Sequence, residues 1–256
     1  MNLIHNTMKQ PKIKFFTYLN ESKQIVKQIL NQNPDFVIDE SAFDFLIVLG
    51  GDGTFVSALN KFKFKKVKII LLNIGHLGFL SSDVVDWKID LNKLKFETYP
   101  VLELQDSNKK YFAINEFICC VKNTSVNINV SINNSYLYTF FGSGFTVNSS
   151  IGSTGYSRSI SGPMLKSKWL YNFAEMAPSL YTNTKSLLQN LVLDKQDEIN
   201  IKIDSKQAKT IKIDGQTRNF NSTNFTIRLI ESKAQVVDLF DNQSWANRIK
   251  RTIIGE

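Results

Sequence analysis

The sequence contains few of the residues on which metal and covalent chemistry most often depend. It has two cysteines, Cys119 and Cys120, and two histidines, His5 and His76, in 256 residues. Adjacent cysteines in an apolar, strand-like run fit neither a disulfide framework nor a C-x-x-C pair, so we predict that both are reduced core residues. Two histidines disfavour most His-based metal sites and a Ser-His-Asp hydrolase. Carboxylates, amides and hydroxyls are therefore expected to carry any chemistry.

Long apolar runs are also missing. No stretch approaches the roughly 20 apolar residues that span a bilayer, and residues 1–5 have neither the charged nor the apolar region of a secretory signal. We therefore expect a cytoplasmic protein with no membrane partner. Hydrophobic residues make up 43% of the chain, which is enough for the core of one large domain or two small ones. The net charge of +8 suits nucleic acid and equally suits a polyanionic small ligand such as a nucleotide.

Three glycines surround an aspartate directly after the apolar run Phe45–Leu49, in the sequence Gly50-Gly51-Asp52-Gly53-Thr54. Glycines let the backbone approach an anion closely, and a helix beginning near Thr54 would point its unpaired N–H groups at that anion. We interpret this segment as a phosphate-binding turn. A carboxylate among phosphates costs Coulomb energy, so Asp52 is better explained as a proton acceptor or as a partner of a metal or hydroxyl. The alternative is a tight strand-to-helix turn with an exposed aspartate, which does not need three glycines.

The N-terminal part of the chain alternates between strand and helix patterns. Strands are predicted at 12–18, 45–49 and 67–72, and helical spacing of apolar residues follows the first two. Continuous apolar strands separated by helices predict a parallel sheet covered on both faces, with ligands at the carboxyl ends of its strands. We therefore predict a Rossmann-like α/β nucleotide-binding domain over residues 1–98.

The pattern changes to short β-rich runs between Tyr99 and Phe240. Asn133-Asn134 and residues 108–110 are predicted to be turns between antiparallel strands. We predict a second, all-β domain over residues 99–240. Its predicted strands are 101–104, 111–114, 117–121, 126–132, 136–140, 199–203, 210–213 and 225–230.

The C-terminal tail, residues 241–256, carries Trp245, Ile249 and Ile253 at a spacing of four, which predicts a helix over residues 244–254. We expect this helix to return to the first domain and pack on it. Its basic residues are interpreted as a solvated face, with nucleic-acid contact as the alternative. These residues are Arg248, Lys250 and Arg251.

Two further segments are rich in glycine. In Asn73–Leu80 two glycines leave little bulk between backbone and ligand, although the segment is also explained as a strand-end loop whose apolar residues simply pack. In residues 142–159 hydroxyls and glycines are dense, and Tyr156 offers a flat face for a base or nicotinamide ring. A flexible polar linker is the alternative, but Phe145 and Val147 are interleaved with the small residues, whereas linkers contain few apolar residues.

Together these segments resemble one family, the NAD kinases, which phosphorylate the 2′-hydroxyl of the adenosine ribose of NAD. The resemblance follows the order of the chain over nearly its whole length. The matched segments are Gly50–Thr54, Asn73–Leu80, Ala113–Glu116, Gly152–Tyr156, Asp214–Gln216 and a tail with Trp245 and Arg248. The first motif is shared with diacylglycerol and sphingoid lipid kinases, whereas the Asn73–Leu80 and Gly152–Tyr156 segments are similar to those of NAD kinases.

The resemblance implies roles for the matched residues. Asp52 would accept the proton of the ribose hydroxyl as that hydroxyl attacks the γ-phosphate of ATP, and phosphoryl transfer otherwise needs mainly alignment and charge neutralisation. Asn115 would hydrogen-bond the adenine, and Glu116 would hydrogen-bond the ribose hydroxyls. Mg²⁺ is implied as the partner of ATP, held by phosphates and water without dedicated protein ligands. The other residues implied to bind NAD or nucleotide are Gly51, Gly53, Thr54, Asn73, Gly75, Phe79, Ser143, Ser153, Thr154, Gly155, Tyr156, Ser159, Asp214 and Gln216.

The sequence departs from the family pattern at several positions. The family usually has Asp where Ser143 stands and often Arg where Phe141 stands, so a charge pair that helps to position the dinucleotide is missing. These changes concern affinity and the preference between NAD and NADH, whereas phosphoryl transfer depends on Asp52. Gly155 replaces a more usual Ala and residues 148–150 replace a Ser-Thr-Pro run, without loss of a needed functional group. The resemblance also implies that the domain over residues 99–240 completes the dinucleotide site. It further implies a homo-oligomer, tetramer or dimer, whose ligands are small-molecule nucleotides.

Two other functions compete with an NAD kinase. A lipid kinase would share the glycine-rich turn, but it needs a membrane-facing apolar surface, and the sequence has no amphipathic membrane segment. A non-catalytic nucleic-acid binder would use the net charge of +8, yet no RRM, KH or helix-turn-helix signature is present. We therefore favour an NAD kinase.

Overall fold

The chain divides into two compact units in a computed structural model. The first unit comprises Met1–Thr98 and Lys233–Glu256, and the second comprises Tyr99–Ser232. The structure describes residues 10–19, 22–74, 78–80, 82–83, 87–107, 109–180, 185–204, 209–237 and 242–255. None of the helices in these ranges is both long enough and apolar enough to cross a membrane.

Seventeen strands and four α-helices are present in the described ranges. The strands are β1 (Lys12–Phe16), β2 (Val37–Ile38), β3 (Phe45–Leu49), β4 (Lys68–Asn73), β5 (Ser82–Asp83), β6 (Phe96–Gln105), β7 (Lys110–Ala113), β8 (Glu116–Val121), β9 (Val126–Ile132), β10 (Ser135–Gly142), β11 (Gly144–Ser149), β12 (Leu170–Met176), β13 (Leu191–Asp194), β14 (Glu198–Ile203), β15 (Lys209–Ile213), β16 (Gln216–Phe220) and β17 (Asn224–Val237). The helices are α1 (Ser22–Gln32), α2 (Asp52–Phe62), α3 (Tyr156–Ser159) and α4 (Asn242–Ile249).

The first unit is an α/β domain on a parallel sheet, as predicted. Its strand order is β17-β4-β3-β1-β2, every neighbouring pair is parallel, and β5 adds to β4. Strand β3 has the sequence FLIVL with its last four residues buried, which is the continuous apolar pattern of a strand covered on both faces. Helix α2 buries Phe55, Ala58, Leu59 and Phe62, which lie on one helical face.

The second unit is antiparallel, which confirms the predicted β-rich class. One sheet contains β10-β9-β14-β17, and the other has the order β13-β12-β11-β8-β15-β16. Side chains from both sheets form one core in which phenylalanines are prominent. A two-residue turn joins β9 to β10, and its Asn133 and Asn134 have φ values of 51° and 64°, a region that asparagine tolerates. The predicted turn at 108–110 joins β6 to β7, although Asn108 lies outside the described residues.

Four strands of the second unit were not predicted, namely β11, β12, β13 and β16. Strand β11 lies between β8 and β12 with every residue buried, although its sequence, GFTVNS, mixes apolar residues with hydroxyl and amide side chains. Gly144 permits the close approach of β8, since a Cβ atom at this position would overlap the carbonyl group of Cys119. Strand β11 is therefore a tightly packed central strand in spite of its polar composition. Both cysteines are free, as predicted, with Cys119 buried.

The C-terminal helix belongs to the first unit, as predicted. Helix α4 ends at Ile249, and the next five residues, Lys250–Ile254, are π-helical. The prediction of a solvated basic face is wrong for Arg248, which is only 7% exposed. Its guanidinium group donates to the carbonyl oxygen of Leu80, so this charged group is hydrogen-bonded within the first unit.

Candidate functional site

The glycine-rich turn joins the carboxyl end of β3 to the first residue of α2. The helix begins at Asp52, two residues before the predicted start near Thr54. Gly51 precedes it with an extended backbone, at φ −87° and ψ −168°. Gly50 has φ +154°, and a Cβ atom there would lie 2.5 Å from Oγ1 of Thr54. The turn therefore requires glycine at position 50, and it directs the N-terminal end of α2, with its positive dipole end, towards the edge of the sheet.

The carboxylate of Asp52 is tied to the loop that follows β4. Its Oδ2 accepts the backbone N–H of Phe79 at 2.8 Å, and its Oδ1 accepts that of Leu80 at 3.0 Å. Because β3 and β4 are parallel neighbours, the turn after one and the loop after the other lie at the same edge. A carboxylate offers about four lone-pair directions, so half-buried Asp52 keeps acceptor capacity beyond these two bonds.

The other predicted residues of this unit lie around the same edge. Asn73 is the last residue of β4 and is half-buried, as is Thr54. Gly53 is exposed in the first turn of α2. The structure therefore brings Asp52, Asn73 and Phe79 to one end of the parallel sheet. His5, Gly75 and His76 lie outside the described residues.

In the second unit, a turn carboxylate organises the segment between β7 and β8. Asp214 lies in the β15–β16 turn at φ +47°, and its carboxylate accepts the backbone N–H groups of three consecutive residues. The distances are 2.8 Å from Ile114, 2.7 Å from Asn115 and 3.2 Å from Glu116. Asp214 thus fixes the backbone that presents the side chains of Asn115 and Glu116. Gln216, the first residue of β16, is exposed.

Two polar groups presented by this backbone are buried in an unusual way, namely the side-chain oxygen of Asn115 and the carboxyl group of Glu116. The Oδ1 atom of Asn115 is buried and has no hydrogen-bond partner among the residues that the structure describes. Such an atom is costly unless a ligand or water donates to it. Glu116 is only 8% exposed, and burial, followed by the negative charge of Asp214, raises the pKa of its carboxyl group to about 7. This group therefore titrates near neutral pH.

We expect the stability of the protein to fall as the pH rises through the titration of Glu116. The unfolded chain releases this proton near pH 4.5, whereas the folded chain keeps it up to about pH 7. The folded state therefore binds more protons in this window, so stability declines across it and is lowest above it. Glu116→Gln removes this titration. Between a pH below the window and a pH above it, the free energy of unfolding of the variant should rise by about 3 kcal/mol relative to that of wild type. Urea unfolding at a series of pH values measures this gain, and parallel curves for the two proteins would contradict it.

The hydroxyl-rich segment packs directly beside Asn115. Gly152–Thr154 forms a single 3₁₀ turn, and α3 follows it. The hydroxyl of Ser153 is fully buried, where it donates to the carbonyl oxygen of Ser150 at 2.7 Å and accepts the N–H of Leu165 at 3.0 Å. Ser153 therefore shapes the segment from inside.

The surface of this segment is formed by the residues that follow Ser153. Tyr156 is 41% exposed, Gly155 and Ser159 are exposed, and Thr154 is half-buried. The hydroxyl of Ser159 donates to the carbonyl oxygen of Tyr156 at 2.7 Å, which closes the single turn of α3. The aromatic face of Tyr156 therefore remains accessible.

Ser143 lies between β10 and β11 and is bonded to the backbone of β12. Its N–H and its hydroxyl both donate to the carbonyl oxygen of Met176, at 3.0 and 3.2 Å. The hydroxyl is half-buried, and the neighbouring Phe141 is 36% exposed. The hydroxyl of a serine at this position can donate a hydrogen bond to β12, whereas an ionised aspartate could not donate one.

No group of three or more His, Cys, Asp or Glu side chains that could hold a metal ion is present within the described ranges. The acidic residues of the predicted site lie on separate elements, with Asp52 at the start of α2, Glu116 at the start of β8 and Asp214 in the β15–β16 turn. The two aspartates accept backbone N–H groups. The described residues therefore do not form a protein cage for Mg²⁺.

Two family models together cover most of the chain. Residues 4–88 match the ATP-NAD kinase N-terminal domain, and residues 115–238 match the ATP-NAD kinase C-terminal domain. The chain belongs to the NAD kinase family. The shared glycine-rich turn therefore does not favour a lipid kinase, because both matches are to NAD kinase domains.

Individual members of the NAD kinase family are similar over nearly the full chain. The NAD kinase of Mycoplasmoides gallisepticum is 28% identical over 244 residues, which cover 91% of this chain and 89% of the relative. A crystal structure of an NAD kinase from Archaeoglobus fulgidus in complex with ATP has a TM-score of 0.72 at 19% identity, covering 92% of this chain and 96% of that one. The crystal structure of yeast NADH kinase complexed with NADH has a TM-score of 0.75 at 18% identity, covering 97% and 89%. These likenesses confirm the fold.

A polar row at the predicted NAD kinase site contains the predicted Glu116 and two residues that were not predicted to belong to the site, Asn148 and Asn172. Glu116, Asn148 and Asn172 are paired across β8, β11 and β12, and both asparagines are fully buried. The amide of Asn172 donates to Asn148 at 3.1 Å and to Asn190 at 2.9 Å, and Asn190 donates to the carbonyl oxygen of Ser161 at 3.1 Å. The row therefore ties the backbone at Ser161, just after the hydroxyl-rich segment, to the sheet. A signal was available, because an asparagine within the otherwise apolar stretch LYNFA of β12 needs a buried partner.

Proposed function

We propose that this member of the NAD kinase family transfers the γ-phosphate of ATP to the 2′-hydroxyl of the adenosine ribose of NAD, giving NADP and ADP. The observation that carries the proposal is the carboxylate of Asp52, fixed by the N–H groups of Phe79 and Leu80 at the N-terminal end of α2. A rigidly held, half-buried carboxylate beside a glycine-rich turn suits a base that acts next to bound phosphates.

In this reaction Asp52 takes the proton from the 2′-hydroxyl as the hydroxyl oxygen bonds to the γ-phosphorus and the bond to ADP breaks. Gly51 and Gly53 keep the backbone clear for the phosphates, and the N–H groups at the start of α2 face their negative charge. Thr54, Asn73 and Phe79 line the same edge. The sequence resemblance also assigns Gly75 to nucleotide binding. Mg²⁺ enters as part of the ATP substrate, held by phosphate oxygens and water.

The second unit supplies recognition of the dinucleotide in this proposal. The unpaired Oδ1 of Asn115 accepts from the adenine amino group, and Glu116 accepts from ribose hydroxyls when it is ionised. Asp214 holds both residues in place through their N–H groups, while Gln216 adds a polar contact. The remaining contacts come from Ser143, from Thr154, Gly155, Tyr156 and Ser159 on the hydroxyl-rich segment, and from Ser153, which shapes that segment.

Support for the substrates comes from the relatives. Curated relatives at similar coverage are named NAD kinase, and solved structures of the same fold hold ATP in one case and NADH in another. On the same resemblance we propose a cytoplasmic homo-oligomer that binds neither nucleic acid nor membranes. The oligomer is a tetramer or a dimer.

A coupled NADP-formation assay tests the proposed reaction. Purified protein with ATP, Mg²⁺ and NAD should accumulate NADP and ADP in equal amounts, whereas diacylglycerol in micelles should remain unphosphorylated. NADH in place of NAD measures the preference that Ser143 and Phe141 leave open. Lipid phosphorylation without NADP formation would reject the proposal in favour of a lipid kinase.

A further inference from the structure

The C-terminal segment binds the same loop that holds Asp52. Arg248, near the end of α4, donates from Nη1 to the carbonyl oxygen of Leu80 at 3.2 Å. Arg251 donates from Nη2 to the carbonyl oxygen of Gly78 at 3.1 Å. Leu80 is therefore bonded at both of its backbone groups, since its N–H donates to Asp52 at 3.0 Å.

The surroundings make these arginine contacts rigid. Arg248 is 7% exposed, and the loop residues that it meets are buried as well, with Phe79 at 6% and Leu80 at 3%. Hydrogen bonds from a guanidinium group are charge-assisted and stronger than those between neutral groups. Thr252 donates its hydroxyl to the carbonyl oxygen of Arg248 at 2.7 Å, which braces the join between α4 and the π-helical turn.

We propose that Arg248 and Arg251 are positioning residues for Asp52, acting through the loop Gly78–Leu80. The inference rests on the proposed function, because it assumes that Asp52 is the base. The two arginines restrain the carbonyl groups of the loop, and the loop in turn fixes the two N–H groups that orient the carboxylate. Loosening the loop would misplace the carboxylate relative to the hydroxyl that it deprotonates, and a misplacement of that kind lowers turnover.

The chain offers a matched control between the two arginines. Lys250 carries the same charge on the same segment, but its side chain is exposed. Lys250→Gln therefore removes one positive charge without touching the loop. Arg251→Gln removes the same charge together with the bond to Gly78, and Arg248→Lys keeps the charge while losing the planar fork of the guanidinium group.

The test combines kinetics with hydrogen exchange on the full chain. For Arg251→Gln and Arg248→Lys we expect kcat for NADP formation to fall roughly tenfold. We expect KM for ATP to stay within the range of Lys250→Gln and the thermal midpoint to fall by only a few degrees, roughly 2–8 °C, as the loss of a single charged hydrogen bond implies. The amides of Phe79 and Leu80 should exchange faster in both arginine variants than in wild type or Lys250→Gln. A purely structural role would instead speed exchange throughout the unit and leave kcat of the folded protein near that of Lys250→Gln.

Two negative results remain distinguishable. If the arginine variants match Lys250→Gln in kcat and in exchange at Phe79 and Leu80, the positioning role is overturned while the proposed function stands. If wild type forms no NADP, the proposed function fails, and the exchange data alone then decide whether the arginines restrain the loop. Arg251 is the more exposed of the two, so its variant keeps the test valid if a change at Arg248 prevents folding.

Discussion

Asp52→Asn is expected to lower kcat for NADP formation by about 10²- to 10⁴-fold in a protein that still folds. The amide cannot take the proton of the ribose hydroxyl. It can still accept one of the two N–H groups of Phe79 and Leu80 through its remaining oxygen, so the loop keeps part of its anchor. Losing the other bond should lower the free energy of unfolding by about 1–3 kcal/mol, which is less than the total free energy of unfolding of a typical folded protein.

A second aspartate of the first unit provides the control for this variant. Asp90 is exposed and accepts the N–H of Asn92 at 3.2 Å, so Asp90→Asn makes the same chemical change away from the site. The coupled assay gives kcat for both variants, and circular dichroism with thermal unfolding shows whether each is folded. Wild-type turnover in Asp52→Asn would remove this carboxylate from the chemistry.

Gly152→Ala is expected to be the most disruptive small substitution in the second unit. A Cβ atom at this position would lie 2.7 Å from the carbonyl carbon and 2.8 Å from the Cα of Asn115, and closer still to its carbonyl oxygen. These are backbone atoms, and Asp214 holds them through the N–H of Asn115, so they cannot move aside cheaply. We expect a loss of about 1–3 kcal/mol of stability, or more, and an increase in KM for NAD because Asn115 must shift.

Gly155→Ala is the matched control, three residues along the same segment. Its added Cβ would have one neighbour, the carbonyl oxygen of Gly152 at 3.4 Å, which is an ordinary contact. Its φ of −93° is negative, so the substitution does not place a side chain on a left-handed backbone. The urea unfolding midpoint should therefore stay near that of wild type for Gly155→Ala. Equal stability of the two alanine variants would contradict the steric account.

The periodic parts of the sequence predicted the first unit well. Continuous apolar strands such as β3 and the helical spacing in α2 depend on local burial, so the pattern itself carries the information. The position of Asp52 also followed from local chemistry, because three glycines after a buried strand indicate a turn at the sheet edge. The predicted helix start near Thr54 was two residues too late, because Asp52 already belongs to α2.

Other features of the site depend on contacts that no local pattern reveals. The bond from Ile114 to Asp214 joins residues 100 positions apart, and that from Arg248 to Leu80 joins residues 168 apart. Arg248 was misjudged because a basic residue on an amphipathic helix is usually solvated, and only the fold supplies its carbonyl partner. The pKa of Glu116 likewise arises from burial by the folded sheet.

The course of β17 has a consequence for how the protein is made. This strand pairs with β14 at Asn224–Arg228 and then with β4 at Gln235 and Val236, so one stretch of chain serves both units. When only the first hundred residues have been translated, the two-residue strand β5 can pair with the end of β4, but β17 is still absent beside Lys68 and Ile69. Unpaired strand edges invite aggregation, so nascent chains should need chaperone protection until translation has passed position 236.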